Sequence, residues 1–289
     1  MAMMEDWPTG KVEQVAPGVR RLLAANPSPF TYTGTQTYIV GQCEVAVIDP
    51  GPDLPDHVEA ILAATSGERI AAILCTHTHR DHSPASRPLA QASGAPIVGC
   101  APLALEDDGP RADAAFDFDY APERVLADGE TLGGDGWVLT AVATPGHTSN
   151  HLCFALEEGR ALFTGDHVMG WSTTVVSPPD GDMTAYMESL DLLLRRDDDA
   201  VYFPAHGPAV EKPHSHVRAL IAHRRMREKQ ILGRLEAGEG RIEAMVESMY
   251  RDVDPRLHGA AGRSVLAHLR DLERRGLVRG EGEAWTSCG

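Results

Sequence analysis

The sequence predicts a mixed α/β (α+β) chain in two parts, a sheet-built domain over residues 1–212 and a small helical, winged-helix-like domain over residues 213–289. Three observations predict it. Short apolar runs of β type recur through the first part, each ending in a turn that presents a His or an Asp. A Pro/Gly-bearing segment from Gly207 to Pro213 then interrupts the chain. Beyond His214, the apolar residues Val217, Leu220, Ile221, Ile231, Leu232 and Leu235 fall near helical spacing.

The elements follow in order. Gly34 to Gly41 reads as an early strand, and Glu44-Val45-Ala46-Val47-Ile48 as a second that ends at Asp49. Ile70-Ala71-Ala72-Ile73-Leu74-Cys75 leads into Thr76-His77-Thr78-His79-Arg80-Asp81-His82, where three imidazoles and a carboxylate stand within seven residues. On an extended stretch His77 and His79 point to one side and can share one ion, and a turn then redirects Asp81 and His82 towards a second position. Trp137 to Val142 precedes Thr144-Pro145-Gly146-His147-Thr148, Ala161-Leu162-Phe163 precedes Thr164-Gly165-Asp166-His167, and Ala200 to Phe203 precedes Pro204-Ala205-His206-Gly207. Ligands at several strand ends converge on one sheet edge. Imidazole and carboxylate are the donors that zinc and similar divalent ions prefer. In the second part, helices are expected from His214 onward, over residues 241–250, and over residues 264–275 with Ser264 as N-cap and Gly276 just past the end. Leu277-Val278-Arg279 and Ala284-Trp285-Thr286 read as two wing strands.

Composition bounds the function. A chain of 289 residues with 43% hydrophobic content can bury a large core plus a smaller one. No stretch approaches the length of a membrane span, and Met1 to Pro8 has neither a basic nor an apolar leader segment. The five cysteines are scattered, odd in number and without a CxxC pair, which fits reduced thiols and a cytoplasmic location. Cys75 and Cys153 lie in apolar runs and are expected in the core. Residues 1–211 carry 11 Lys/Arg against 31 Asp/Glu, whereas residues 212–279 carry 15 against 9. The acidic first part repels polyanions at long range. The basic second part is read as a solvated helical face, with contact to phosphates as the alternative. His57, His151, His214, His216, His223, His258 and His268 are assigned packing or surface roles, and His167 a supporting role beside Asp166.

The ligand pattern, HxHxDH followed by a His, an Asp and a His, resembles that of the metallo-β-lactamase superfamily. The match covers His77, His79, Asp81, His82, His147, Asp166 and His206, with no position missing. The residues from His223 to Leu232 look like the helix of the lactamase-beta-2-like branch, which carries a C-terminal winged-helix-like domain. The resemblance implies a four-layer αββα sandwich and two divalent metal ions, zinc being the expected pair. It also implies that His77, His79 and His147 hold the first ion, that Asp81, His82 and His206 hold the second, and that Asp166 bridges both. Family members are often homodimers. Two departures stand out: Ser83-Pro84-Ala85-Ser86-Arg87 replaces a Gly-rich turn, and Gln36-Thr37-Tyr38 replaces Asn-Thr-Tyr. Both are expected near the substrate mouth.

Two zinc ions about 3.5–4 Å apart generate a bridging hydroxide near neutral pH, and Asp81 is the residue expected to orient it. The same machinery cleaves esters, thioesters, β-lactams or phosphodiesters. The branch resemblance favours a small-molecule ester or thioester, or single-stranded RNA, as substrate. Three alternatives remain: a glyoxalase-II-like thioesterase, a mononuclear iron enzyme that oxidises sulfur, and a nucleic-acid-binding regulator with an inert sandwich. The complete second set of ligands argues against the last two.

Overall fold

The computed structural model describes residues 7–103 and 116–288; Met1 to Asp6, part of the segment read for a leader, lie outside the described residues. Seven strands run in chain order across one sheet: β1 (Glu13–Ala16), β2 (Val19–Leu23), β3 (Gln36–Gln42), β4 (Glu44–Ile48), β5 (Arg69–Cys75), β6 (Ile97–Gly99) and β7 (Arg124–Val125). Helices α1 (Pro55–Ala64) and α2 (Ser86–Ser93) connect the parallel strands β4, β5 and β6. The second sheet comprises β8 (Thr131–Gly134), β9 (Trp137–Ala143), β10 (Leu152–Leu156), β11 (Ala161–Gly165) and β12 (Val201–Pro204), in the order β12-β11-β10-β9-β8. Helix α3 (Met183–Leu194) crosses between β11 and β12, which pair in parallel.

The period-two alternation of side chains sorts these strands into four layers. Tyr38, Val40, Ala46, Ile48 and Leu74 of the first sheet meet Leu139, Phe154, Phe163 and Phe203 of the second in one buried core. The intervening residues Ile39, Val45, Val47 and Ile73 turn outward against Val58 and Ile61 of α1 and Leu89 of α2. Likewise Cys153, Ala155 and Leu162 turn outward against Tyr186, Leu190 and Leu193 of α3. The order of layers is helix, sheet, sheet, helix, as expected. Cys75 and Cys153 are fully buried.

Helix α4 (Pro213–Glu236) serves both parts of the chain. At 1.5 Å per residue, its 24 residues reach about 36 Å. Val217, Leu220 and Ile221 pack on the sandwich with α3, and Ile231 and Leu235 pack in a separate core with Met245, Val265, Leu269 and Leu272. That core is closed by α5 (Ile242–Met249), α6 (His258–Arg274) and the hairpin of β13 (Val278–Glu281) and β14 (Ala284–Ser287), a winged-helix arrangement. Helix α6 starts six residues before the expected Ser264, because a 3-10 turn at Pro255–Leu257, capped by the Asp254 carboxylate, feeds straight into it. Ser264 is therefore an interior residue. Gly276 does follow the helix end, with φ +73°. Among the described residues, no helix is long and apolar enough to cross a membrane.

Candidate metal centre

Strand polarity assembles the site. Strands β4 and β5 run parallel and end side by side, which places Asp49 next to the loop that carries His77 to His82. Strands β11 and β12 also run parallel, with Gly165 opposite Pro204, so Asp166 and His206 emerge together. The β9–β10 connection brings His147. Gly165 is required where the chain leaves β11. Its φ is +49°, and a Cβ there would lie 2.7 Å from both His151 Nε2 and Thr76 Oγ1.

All seven sequence-predicted ligands converge, in two groups that share Asp166. Atoms of His77, His79, His147 and Asp166 lie within 4.8 Å of one another, as do atoms of Asp81, His82, Asp166 and His206. In the first group, His79 Nδ1 lies 3.0 Å from His77 Nε2 and 3.1 Å from His147 Nε2. In the second, His206 Nε2 lies 3.2 Å from Asp81 Oδ2 and 3.2 Å from Asp166 Oδ1, and His82 Nε2 lies 3.5 Å from each of the same two oxygens. Asp166 divides its oxygens, Oδ1 facing the second group and Oδ2 lying 3.6 Å from His147 Nε2.

The donor set fits two divalent cations. Five imidazoles and two carboxylates are a zinc-type set. His82 Nε2, His206 Nε2, Asp81 Oδ1 and Asp166 Oδ1 are buried without a hydrogen-bond partner, a costly arrangement for groups with nothing to bind. Outer contacts aim the rings. His147 Nδ1 donates to Val175 O (2.6 Å), His206 Nδ1 to Gly34 O (3.2 Å) and His82 Nδ1 to Asp49 Oδ2 (2.9 Å). Asp49 also accepts from Thr76 N and Thr76 Oγ1, both at 2.8 Å.

The two groups differ electrostatically. Burial, reinforced by neighbouring imidazoles, keeps His77 well below the usual imidazole range, and burial brings His79 down to about 4 against the pull of Asp81 and Asp166. Burial also opposes charge on His82, but Asp81, Asp166 and Asp49 together raise it well above its ordinary value. The His82 and His206 charges in turn hold Asp81 down to about 2 despite burial. His77 and His79 therefore offer neutral nitrogen donors, and the second group is rich in ionised oxygen.

A recess of about 50 Å³ opens onto these ligands, room for one or two groups of water or carbonyl size. Pro29, Phe30, Met169, Trp171, Ser172, Thr173 and Val175 wall it, beside His79, Asp81, His147 and Asp166. Trp171 is exposed and stacks on Tyr32 at a centroid distance of 5.0 Å.

Several expectations shift. The two departures from the family pattern are not at the mouth. Gln36 is fully buried and donates through Nε2 to Pro204 O (3.1 Å) and Gly207 O (2.6 Å), which grips the turn of His206 from behind. Ser83 is buried and donates to Asp117 Oδ2 at 2.8 Å. His151, assigned only to packing, accepts from the Asp166 backbone N–H through Nε2 at 3.2 Å. Its position four residues after His147 was the one signal available. His167 joins neither group; its ring lies 4.9 Å from that of Tyr186. His57 packs as expected, with Nε2 2.8 Å from Thr37 Oγ1. No sequence signal marked Phe30, Trp171 or Thr173.

Residues 31–206 match the family model described as metallo-beta-lactamase superfamily, and residues 242–285 match that of the beta-lactamase associated winged helix domain. The chain is 31% identical to a beta-lactamase-like protein 2 homolog from Caenorhabditis elegans, over 92% of this chain and 88% of that one. It is 33% identical to an atrochrysone carboxyl ACP thioesterase from Paecilomyces divaricatus, over 87% of this chain and 75% of that one. A solved beta-lactamase domain protein from Burkholderia ambifaria superposes with a TM-score of 0.80 at 20% identity, over 99% of this chain and 96% of that one, a likeness of fold.

Proposed function

The chain belongs to the metallo-β-lactamase superfamily as a metal-dependent hydrolase, and from that premise we propose that it is a dinuclear zinc enzyme that hydrolyses a thioester. His77, His79 and His147 would hold one ion, Asp81, His82 and His206 the other, with Asp166 between them. When bound, such ions lower the pKa of water to roughly 7 and stabilise negative charge on a carbonyl oxygen.

The chain's own residues do the rest. In this reading Asp81 Oδ1, which is buried and without a hydrogen-bond partner, takes the proton of the attacking water and returns it to the departing thiolate. The Asp49 carboxylate fixes the His82 ring, and Val175 O fixes that of His147, so neither has to reorganise during the reaction. Phe30, Met169, Trp171 and Val175 would flank the scissile carbonyl and the first atoms of the acyl part, with the rest of the acyl chain lying outside the small recess.

The observation that carries the substrate class is the wall of the recess. Apolar and aromatic side chains with two hydroxyls line it, and no Lys or Arg is among the described lining residues. A phosphodiester would bring a fixed negative charge that only the two cations would meet, since the wall adds no Lys or Arg to bind it. A thioester carbonyl is neutral and its acyl chain apolar. The thioesterase name of the Paecilomyces divaricatus relative supports the same reading. Single-stranded RNA is the second reading, favoured only by the basic residues from 212 onward.

The test is metal content per chain, paired with turnover of an acyl-CoA thioester and of single-stranded RNA before and after chelation. Two zinc equivalents and chelator-sensitive thioester cleavage are expected. Chelator-sensitive RNA cleavage with an inert thioester would overturn the substrate class, and one iron per chain would overturn the chemistry.

A further inference from the structure

Arg224 is a buried guanidinium on α4, 4% exposed. Among the described residues it pairs with no carboxylate, its Nε has no hydrogen-bond partner, and its one hydrogen bond goes from Nη2 to Thr174 O. Its charge also lies over the Tyr186 ring, 5.1 Å from the centroid. Burying an unpaired charge costs stability, so stability does not account for the residue. What it grips does.

Thr174 is itself buried, and its hydroxyl lies 2.7 Å from Asp166 O and 3.1 Å from His167 O. The next carbonyl, Val175 O, accepts from His147 Nδ1 at 2.6 Å. Thr173 and Val175, on either side of Thr174, wall the recess. One dipeptide therefore fixes the backbone behind Asp166, sets the tautomer and direction of the His147 ring, and forms part of the substrate wall. Tyr186, beneath the guanidinium, donates from its hydroxyl to His167 O at 3.2 Å and supports the same backbone.

We propose that Arg224 is a positioning residue for the metal centre: through Thr174 it holds Asp166 and His147 in register, and so makes cation affinity depend on α4, the helix shared with the winged-helix core. The inference rests on the two-cation reading above and deepens it. A direct hydrogen-bond partner of a metal ligand is worth roughly 10–100-fold in metal affinity, and Arg224, one hydrogen bond further out, is expected at the low end of that range.

The test is a zinc competition titration against a chromophoric chelator, with the cobalt(II) absorption spectrum as a second readout. It is run on the wild type and on Arg224→Met, Arg224→Lys, Thr174→Val and Arg225→Met. Arg224→Met retains an apolar stem over Tyr186 without the charge, and Thr174→Val removes the hydroxyl with little change of shape. The expected result is a loss of about 10-fold or more in zinc affinity and an altered cobalt spectrum in both. Arg224→Lys, which keeps a donor for Thr174 O, recovers part of the loss. Arg225 is exposed, and its variant binds like the wild type. Wild-type affinity in folded Arg224→Met overturns the proposal; if that variant does not fold, wild-type affinity in Thr174→Val does so. Failure of the wild type to take up metal strikes the two-cation reading instead, so the two failures are separable.

Discussion

The proposed mechanism gives Asp81 a double task. Its Oδ2 faces His206 and His82, and its Oδ1 is left without a protein partner, pointing to two jobs for one side chain, holding a cation and handling a proton. Asp81→Ala removes both, and His79→Ala removes one nitrogen of the other group. Each variant is expected to keep the far-ultraviolet dichroism of the wild type and to lose at least 100-fold in kcat. Near-normal turnover in either would remove that residue from the mechanism. The spacing of the seven donors was legible because ligand chemistry restricts the residue type at each position. What the sequence concealed were contacts made through backbone. Nothing in Thr174 or Gln36 as residue types signals that one holds Asp166 O and the other the carbonyls flanking His206. The role of Gln36 depends on loops that the fold brings together across more than 160 residues, and that of Thr174 on how the segment after Asp166 folds back on itself within 8 residues.

Strands were legible where both faces are buried, since a short apolar run ending in a turn has few other readings. Glu44–Ile48 was read to the residue, and β9 and β12 to within one. The beginning of α6 was not, because Ser264 is a good cap by type while Asp254 caps the preceding 3-10 turn. Connections matter as much as strands here. The β9–β10 loop places Gly146 at φ +140°, where a Cβ would lie 2.3 Å from Tyr186 Cα and 2.4 Å from Tyr186 N. Those are backbone atoms of α3 and cannot turn aside. Gly146→Ala is therefore expected to push His147 away from α3, at a cost of about 2–5 kcal/mol from overpacking and backbone strain together. Urea unfolding checks this, and a midpoint within error of the wild type would show that the loop yields freely. The same displacement predicts weaker zinc binding, since His147 sits at position 147, one residue on.

At the scale of the whole molecule, helix α4 makes one body of two cores, and Arg274 of α6 ties them again through Asp182 and Thr184. Helical spacing announced α4, yet spacing alone could not assign its two halves to different cores. Between these parts His268 is buried, 3% exposed, with neither ring nitrogen hydrogen-bonded. Burial lowers it to about 3, helped by the charges of Arg224, His223, Arg227 and Arg275, and burial alone lowers His57 to about 4. In the unfolded chain both return to about 6.5. Between that value and the folded one, the unfolded state binds the extra proton. The stability contribution is therefore intact above about pH 6.5 and falls as pH drops through the window, by about 1.4 kcal/mol per pH unit for each group. Acid should thus lower the stability of the fold even in metal-free protein. His268→Leu isolates the effect, because a ring that makes no hydrogen bond loses none when replaced. It should match the wild type at pH 7.5 within about 1 kcal/mol and exceed it by about 2 kcal/mol at pH 5 in urea unfolding of metal-free protein. Equal pH dependence in the two proteins would mean that His268 is protonated alike in the folded and unfolded chains, and that the acid sensitivity of the fold arises elsewhere.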